Sequence, residues 1–531
     1  MKRYPLAPMN NRAAPNKVTP ARYLRQIEKH SESSAQDSLY QGEHFLYLAE
    51  FLKKGSENPS SIGEADGFAT FYKFQSDEHS ASSATLSLPG YPRSNGDHLL
   101  ASETGIIFLG GYPSAQHLID LGAAYNIDPE FYQRHLRFLI PRLTKNESFF
   151  LPVLPSFQTS ILQMSVTTIG HHRTPQYKSV DEKRLRSASK MGEYSMNLRN
   201  GRGMGRNWEA RDSVVRSFAV HDEKEFSIQQ MITICMIRIA GGDDCWKVVV
   251  WVDAGKTLSS SPVGPWSSPG DNIYFDPVSL YKPGVALKDH QYPGHRSQVV
   301  DDNQLVQSLS LLPVAFGRSL HPKIMRQDPF YALSEIFDFV AVSELQFLTA
   351  IENQLDHRAG SLRDIFAVPS LSVHADLLYF RDILEDHVNN IESTNGFIKT
   401  RHTLRWPRSN SDKAQVAALR IEVDYEALLT RARGLRDRCE RDIGVIVNTA
   451  QLSQATPDMS ETKRNLKLAI IAAMFLPMTA TGTFFGMNFV NFGSSSEGVW
   501  VWILTTIPLM VVSLVAIAWD LDILRKIKKS E

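Results

Sequence analysis

Two long stretches near the carboxyl end of this chain contain no charged residue. Asp, Glu, Lys and Arg are all absent from 468–496, and they are absent again from 498–519. A hydrocarbon core about 30 Å thick requires about 20 helical residues, so uncharged apolar runs of this length predict membrane-spanning helices. Because only a short loop separates the two runs, they predict a helical hairpin rather than a buried pair of core helices.

The rest of the composition argues against several other classes of protein. Lys and Arg together equal Asp and Glu, at 57 each, so no excess of positive charge predicts a nucleic-acid partner. The three cysteines, Cys235, Cys245 and Cys439, are scattered and odd in number, which argues against a disulfide framework and a thiolate zinc site. We find no nucleotide-binding loop in a strand-to-helix context and no catalytic triad pattern, so an enzyme is not expected.

Basic residues predict the orientation of the hairpin. Lys and Arg occur before the first run and after the second, whereas the loop between them contains Glu497 and no basic residue. By the positive-inside bias, both chain ends lie on the cytosolic or matrix side. Four prolines near the start interrupt the amphipathic helix that a mitochondrial transit peptide needs. We therefore expect the plasma membrane, and the mitochondrial inner membrane stays open as an alternative.

The first part of the chain is predicted to contain little ordered structure. Residues 1–95 are rich in Ser, Asn, Gly and Pro, which is typical of a poorly ordered extension. One amphipathic helix is predicted within it, at about residues 39–54.

Residues 96–329 are predicted to form a cytosolic α/β domain. A buried strand at 105–109 precedes a helical pattern, and a strand region follows at 159–169. Between them, Asp128 and Pro129 predict the start of another helix, with Asp128 as its N-cap. Two runs dense in Val, Ile and Trp, at 231–240 and 246–254, predict a β-hairpin because the residues between them favour a turn.

Two insertions are predicted to interrupt this domain. Residues 171–211 are basic and include the glycine-rich run 201–206, which we interpret as a flexible surface loop because no strand leads into it. Residues 259–293 are rich in proline and are interpreted as an irregular loop. His171 and His172 lack a spaced third ligand, so a solvated pair is the default interpretation.

Residues 330–465 are predicted to form a helical stalk region. Apolar residues recur at three- and four-residue steps in 331–357 and 371–398, and a third helix begins after 410. That helix is predicted to be able to continue into the first span, although Pro457 favours a kink or a break. Its apolar positions approach a heptad seam, which we interpret as a means of assembling copies: Ile421, Tyr425, Leu428, Ala432, Leu435, Cys439, Ile443 and Ile446.

The first span resembles a known family. Residues 475–479 read Phe-Leu-Pro-Met-Thr and residues 486–489 read Gly-Met-Asn-Phe, with a second apolar run and a lysine-rich end behind them. In that placement the motif resembles the CorA-type magnesium transporters. Residues 96–329 more loosely resemble the N-terminal domain of fungal CorA-like proteins.

The resemblance implies a fold class and a division of the chain. We expect an α+β membrane protein with an N-terminal cytosolic α/β domain, a long helical stalk and two C-terminal transmembrane helices. The predicted boundaries are a first pore helix at 466–488, a short external loop at 489–498, a second helix at 499–519 and a basic tail at 520–531. The resemblance also implies a homo-oligomer of five chains.

One face of the first span is predicted to line a pore. Stepping back from Asn488, the residues that fall on roughly one side are Thr483, Thr479, Leu476, Ala472 and Leu468. Uncharged oxygens suit Mg²⁺, which dehydrates reluctantly, and apolar rings gate by dewetting. The resemblance assigns Gly486, Met487 and Asn488 to cation selection. The rival interpretation of Asn488 is a residue of the helix end or loop that contacts no ion.

Acidic residues are candidates for two further roles. Glu497 is predicted to concentrate cations at the mouth of the pore. Asp382, Glu385 and Asp386 are crowded on one predicted helix, where a solvated face is the simpler interpretation and a regulatory cation site is implied by the resemblance. Many CorA relatives carry Met-Pro-Glu soon after the tripeptide, and this chain does not. That departure leaves the preference among Mg²⁺, Zn²⁺, Co²⁺ and Ni²⁺ open.

These observations together predict a CorA-like channel or transporter. It would move a divalent cation across a lipid bilayer, driven by the membrane potential, through a homo-oligomeric pore and without a resident cofactor. The alternative is a membrane-anchored interaction or scaffold protein that retains the hairpin but does not conduct.

Overall fold

The computed structural model describes residues 18–33, 40–57, 68–74, 81–86, 104–140, 160–173, 179–203, 206–238, 245–267, 273–280, 307–362, 371–403, 406–486, 500, 502–513 and 515. The chain divides into two compact units. The first comprises Met1–Ala359 and Tyr379–Cys439, and the second comprises Gly360–Leu378 and Glu440–Glu531.

One mixed sheet lies in the first unit. Its described strands are β1 (Ala69–Phe74), β2 (Ala81–Leu86), β3 (Gly105–Gly110), β4 (Ile161–His172), β5 (Ser217–Val220), β6 (Glu225–Arg238), β7 (Trp246–Val252) and β8 (Ile273–Phe275). The spatial order is β2-β1-β3-β7-β6-β4-β8, and β5 pairs with β6. Strands β3 and β7 run parallel, with Ile107 beside Val249. The predicted hairpin of β6 and β7 is confirmed, since these strands pair antiparallel with Ile234 beside Val250.

Helices cover one face of the sheet. They are α1 (Pro20–Ser31), α2 (Leu46–Glu57), α3 (Ala115–Tyr125) and α4 (Pro129–His135). Every residue of β7 is buried, which explains why its sequence is a continuous apolar run instead of an alternating one. Helix α4 begins where predicted, because the Asp128 side chain accepts a hydrogen bond from the Glu130 backbone N–H.

The expectation of a poorly ordered extension at 1–95 is wrong for its described parts. Helices α1 and α2 belong to the same buried apolar cluster as β3 and β7, through residues such as Tyr23, Ile27 and Leu48. The Tyr23 hydroxyl donates to the Ile127 carbonyl at 2.7 Å. The amphipathic helix predicted at about residues 39–54 corresponds to α2, whereas the average composition of 1–95 conceals α1.

The interpretation of 171–211 as a surface loop also requires correction. Helix α5 (Val180–Arg199) begins after Ser179, whose side chain accepts from the Glu182 N–H. Its Tyr194 and Leu198 lie in a second apolar cluster that includes Trp266. The second insertion, 259–293, therefore contributes a buried tryptophan as well as β8.

A helical bundle completes the first unit. The remaining described helices are α6 (Ser308–Ala315), α7 (Pro322–Gln327), α8 (Pro329–Ala332), α9 (Ser334–Leu362), α10 (Leu371–Thr400), α11 (Asp412–Gly486) and α12 (Trp502–Ser513). Within the first unit, Arg420 of α11 pairs with Asp338 of α9 at 2.7 Å, and Lys399 of α10 pairs with Glu426 of α11 at 2.9 Å. These three helices therefore pack against one another within a single chain.

The heptad seam of α11 is used inside the chain. Tyr425 is 1% exposed, its hydroxyl donates to the Phe337 carbonyl at 3.2 Å, and its ring meets the Phe337 ring edge-on. Leu428, Ala432, Leu435 and Cys439 are likewise buried. The expectation that this seam assembles copies is therefore wrong for Ile421–Cys439, because a helix of the same chain already covers it. The spacing of apolar residues along a helix therefore does not identify which helix packs against them.

Helix α11 is one continuous helix of 75 residues. Pro457 lies inside it, so the predicted break does not occur there. A proline removes one backbone donor, and the turns on both sides retain their helical conformation here.

Candidate pore segment and its comparisons

An apolar segment of α11 in the second unit is the candidate functional site. The 18 residues Lys467–Phe484 are long and apolar enough to cross a membrane, and only 6% of them are buried. Among the described residues this is the one helix that meets both conditions, while α12 is a shorter apolar helix. A core helix of a soluble protein would be mostly buried, so this segment is suited to an apolar environment outside its own chain.

The five residues predicted to line a pore share one exposed face. They are Leu468, Ala472, Leu476, Thr479 and Thr483, and every one is exposed. Steps of four, four, three and four residues keep them within about 40° of a common direction on a helix that turns about 100° per residue. The structure therefore places these five together, and their contact with ions stays a prediction.

The threonines on this face hold their hydroxyl hydrogens within the helix. The Thr479 hydroxyl donates to the Phe475 carbonyl at 2.7 Å, and the Thr483 hydroxyl donates to the Thr479 carbonyl at 2.8 Å. Each hydroxyl oxygen consequently keeps lone pairs directed away from its donated proton. Such oxygens are able to accept hydrogen bonds from the water shell of a cation.

The opposite face of the same segment packs toward α12. Pro477 is buried, and the Thr481 and Thr506 hydroxyl oxygens lie 2.8 Å apart. Thr481 lies two residues from both Thr479 and Thr483, which is about 200° of rotation on an α-helix. Helix α12 therefore covers the side away from the predicted pore face.

The selectivity motif lies at the edge of the described chain. Helix α11 ends at Gly486, and Met487, Asn488 and Glu497 lie outside the described residues. The place of Asn488 on the face of Thr483 therefore stays a prediction.

The candidate regulatory acids are exposed on α10. Asp382 pairs with Arg381 at 2.7 Å, and Glu385 pairs with Arg436 of α11 at 3.1 Å; Asp386 is exposed as well. Within the described ranges, no group of three or more His, Cys, Asp or Glu residues is arranged to hold a metal ion. A regulatory site at these three residues stays a prediction.

Sequence reasoning missed a buried ionic network in the sheet. Asp253, at the end of β7, is completely buried and accepts two hydrogen bonds from the Arg216 guanidinium at 2.6 and 2.7 Å. His135 lies 3.2 Å from the same carboxylate and stacks on the Trp251 ring. An aspartate just after a strand was visible in the sequence, but its partners are far away along the chain, so no local signal pairs them.

Burial and charge act in opposite directions in this network. Burial disfavours the charged carboxylate, yet the Arg216 guanidinium and His135 outweigh it and hold the pKa of Asp253 below its ordinary value. Burial lowers the pKa of His135 to about 4, although Asp253 opposes that shift. His135 is therefore neutral at pH 7 and donates to a charged Asp253. All the described partners are internal, which favours a structural role.

A second buried pair joins the bundle to the sheet. His387 of α10 lies 2.7 Å from the Glu344 carboxylate of α9, stacks on Phe347 and contacts the Gln229 amide of β6 at 2.9 Å. The helix pattern of the sequence indicated the apolar face on which His387 lies, but no motif indicated its ionic partner.

The glycine-rich run 201–206 is not arranged as a phosphate cradle in its described part. Arg206 pairs with Asp212 at 2.9 Å and with Glu209 at 3.1 Å, and it also donates to the Ser260 carbonyl. Because its guanidinium already serves these acceptors, Arg206 ties the run to the neighbouring loop.

Three comparisons with known proteins complete the description of this region. No curated protein matches the chain. Among solved structures, the chain is similar to a structure titled "The complete structure of CorA magnesium transporter from Methanocaldococcus jannaschii", with 11% identity, a TM-score of 0.28, and coverage of 66% of this chain and 96% of that one. A family model described as "CorA-like Mg2+ transporter protein" matches residues 303–522, which include the bundle helices and the apolar segment. Residues 303–522, about two fifths of the chain, are therefore similar to the CorA-like family.

Proposed function

We propose that this chain moves hydrated Mg²⁺, or a related divalent cation, across a membrane through a homo-oligomeric pore. The observation that carries the proposal is the exposure of Lys467–Phe484, an apolar helix of membrane-spanning length that its own chain leaves uncovered. The family model, whose description names Mg²⁺ transport, includes this segment. The activity is transport, and catalysis is not part of the proposal.

Several copies are needed for a pore, because a two-helix hairpin has no interior. In the proposed arrangement the second span extends α12 through 499–519, so that both chain ends lie on the cytosolic side of a plasma membrane. The number of copies is five by family resemblance. Since the seam from Ile421 to Cys439 is buried within the chain, assembly uses other surfaces. The side of α11 opposite that seam exposes apolar residues at Val416, Leu419 and Val423.

The proposed pore face alternates polar and apolar rings. Rings of Thr479 and Thr483 oxygens would contact the hydration shell, and Leu476 and Leu468 would form apolar constrictions that close by dewetting. Mg²⁺ usually keeps several of its waters, so neutral oxygens hold it loosely enough to release it. The Asn488 carboxamide is proposed to select the ion at the mouth, with Gly486 and Met487 shaping that end and Glu497 attracting cations.

The membrane potential would supply the driving force. Moving one charge through 100 mV is worth about 2.3 kcal/mol, and a divalent ion doubles this. The apolar run contains no carboxylate or basic side chain between Leu468 and Ser496. A carrier that relays protons through buried acids within the span is therefore disfavoured.

The test is divalent-ion flux into proteoliposomes that contain the purified full-length chain. Mg²⁺ and Zn²⁺ are supplied separately under a negative-inside potential, with Asn488→Ala as the test variant and Asn491→Ala as the matched control. The proposal predicts entry of at least one ion, a loss or broadening of entry with Asn488→Ala, and little change with Asn491→Ala. A folded oligomer that passes neither ion would instead favour the membrane-anchored scaffold.

A further inference from the structure

Two threonine hydroxyls connect the apolar segment of α11 to α12. The Thr481 and Thr506 Oγ1 atoms lie 2.8 Å apart, and Thr506 is 6% exposed. Both residues belong to the second unit. By contrast, the Thr479 and Thr483 hydroxyls donate within their own helix.

The two hydroxyls carry two hydrogens between them but make three contacts of 2.8 Å or less. Thr481 Oγ1 lies 2.8 Å from the Pro477 carbonyl, and Thr506 Oγ1 lies 2.7 Å from the Trp502 carbonyl. Each hydroxyl supplies one hydrogen. One threonine must therefore donate to the other while its partner donates to its own carbonyl, and the two roles can be exchanged without moving either helix.

The apolar surroundings of the pair strengthen the effect of this hydrogen bond on how the two helices pack. The nearby exposed side chains of both helices are large and apolar, as at Met474, Met478 and Ile503. In hydrocarbon, a hydroxyl has no water to replace a lost protein partner, and hydrogen bonds between helices act as specific contacts. The pair thus fixes which side of α11 faces α12.

We propose that Thr481 and Thr506 are positioning residues that set the rotation of the pore helix. Thr481 lies about 200° from both Thr479 and Thr483 on the helix, so directing Thr481 at α12 directs the predicted pore face away from it. This inference rests on the proposed transport function. Neither threonine is proposed to contact the ion.

The geometry is tested first, without any measurement of transport. In the full-length chain with Cys235, Cys245 and Cys439 replaced by alanine, Thr481→Cys is combined with Thr506→Cys, and in a control with Thr505→Cys. Position 505 lies about 100° around α12 from position 506. Mild oxidation should cross-link the 481/506 pair faster than the 481/505 pair. Equal rates would overturn the proposed contact whether or not the protein conducts.

The positioning role is tested by a double-substitution cycle on Mg²⁺ flux. Thr481→Val and Thr506→Val should each lower flux about threefold, the scale of one hydrogen bond between membrane helices, and the double variant should be no worse than either. Thr505→Val should match the unaltered chain, and Thr481→Ser should restore flux. Unchanged flux in the single variants, or losses that multiply in the double variant, would overturn the role. If the unaltered chain carries no ion while the 481/506 cross-link still forms preferentially, the transport proposal fails and the contact itself stands.

Discussion

The sheet region buries charges, whereas the apolar segment of α11 exposes its hydrophobic side chains. Asp253 of the first unit is 0% exposed, and Leu476 of the second is 71% exposed. In water, each of these would be costly without compensation. The sheet compensates with Arg216 and His135 from its own chain, whereas the described part of the chain buries only 6% of the apolar segment. The difference teaches that the two regions are built for different surroundings, one aqueous and one apolar.

The largest expected effect concerns the buried carboxylate of Asp253. Asp253→Ala leaves the Arg216 guanidinium without its internal partner, and breaking a buried ion pair from one side costs about 3–5 kcal/mol of unfolding free energy. Chaotrope unfolding of the full-length chain in detergent, followed by tryptophan fluorescence, measures this. Asp382→Ala is the control, since its exposed ion pair is worth about 0–1 kcal/mol. Equal losses in both variants would contradict the compensated network.

Exposed apolar side chains are expected to contact different surroundings in the two regions. Ile471 and Leu185 are both exposed, at 52% and 76%, yet we expect only Ile471 to contact lipid or another subunit. Arginine near the middle of a spanning helix costs about 2.5–3.5 kcal/mol on insertion scales. Ile471→Arg should therefore reduce the fraction of protein that resists carbonate extraction from membranes, and Leu185→Arg should not. Similar extraction of both variants would contradict the expectation that only Ile471 contacts lipid or another subunit.

Acid provides a way to weaken the sheet region selectively. The pKa of His135 is about 4 in the folded chain, and histidine in an unfolded chain titrates near 6.5. The unfolded state therefore binds more protons between these values, so stability falls as pH decreases from about 6.5 to about 4, by at most about 3 kcal/mol. Unfolding midpoints measured across this range should show the slope. His135→Gln should reduce it without abolishing it, because burial also lowers the pKa of His221, to about 3. His402→Gln, an exposed position, should leave the slope unchanged.

The smallest expected effect concerns the acidic face of α10. Asp382→Asn, Glu385→Gln and Asp386→Asn should each change unfolding free energy by no more than about 0.5 kcal/mol, because exposed charges contribute little. If these residues form a regulatory cation site between copies, the triple variant should instead alter how flux depends on cytosolic-side Mg²⁺. Unfolding and flux measured on the same preparations separate the two interpretations. A large stability loss with no change in regulation would contradict both.

The elements that sequence reasoning predicted correctly have strong local signals. The β6–β7 hairpin has two dense apolar runs around a turn, and α4 has an aspartate cap before a proline. Helices α9 and α10 show clear three- and four-residue periodicity. Those signals arise within about ten residues, so they need no knowledge of distant parts of the chain.

The elements that were missed depend on distant partners. Strand β3 and helix α2 were predicted, but the parallel pairing of β3 with β7, more than 100 residues later, was not, and helix α1 was missed as well. The α11 seam was correctly identified as apolar, but periodicity does not specify whether α9 of the same chain or another copy covers it. In the candidate site, the face from Leu468 to Thr483 was predictable from spacing, while the contact between Thr481 and Thr506 required the second helix. The fungal subtype, the ion preference and the role of Asn488 stay predictions.

The most direct test of the account compares two faces of the same helix in one flux assay. Leu476→Ala removes a proposed apolar constriction, whereas Met474→Ala removes a side chain about 160° away around α11. Mg²⁺ flux into proteoliposomes should rise with Leu476→Ala and stay unchanged with Met474→Ala. Equal effects of the two substitutions, or no flux through the unaltered chain, would contradict the claim that the face from Leu468 to Thr483 conducts ions.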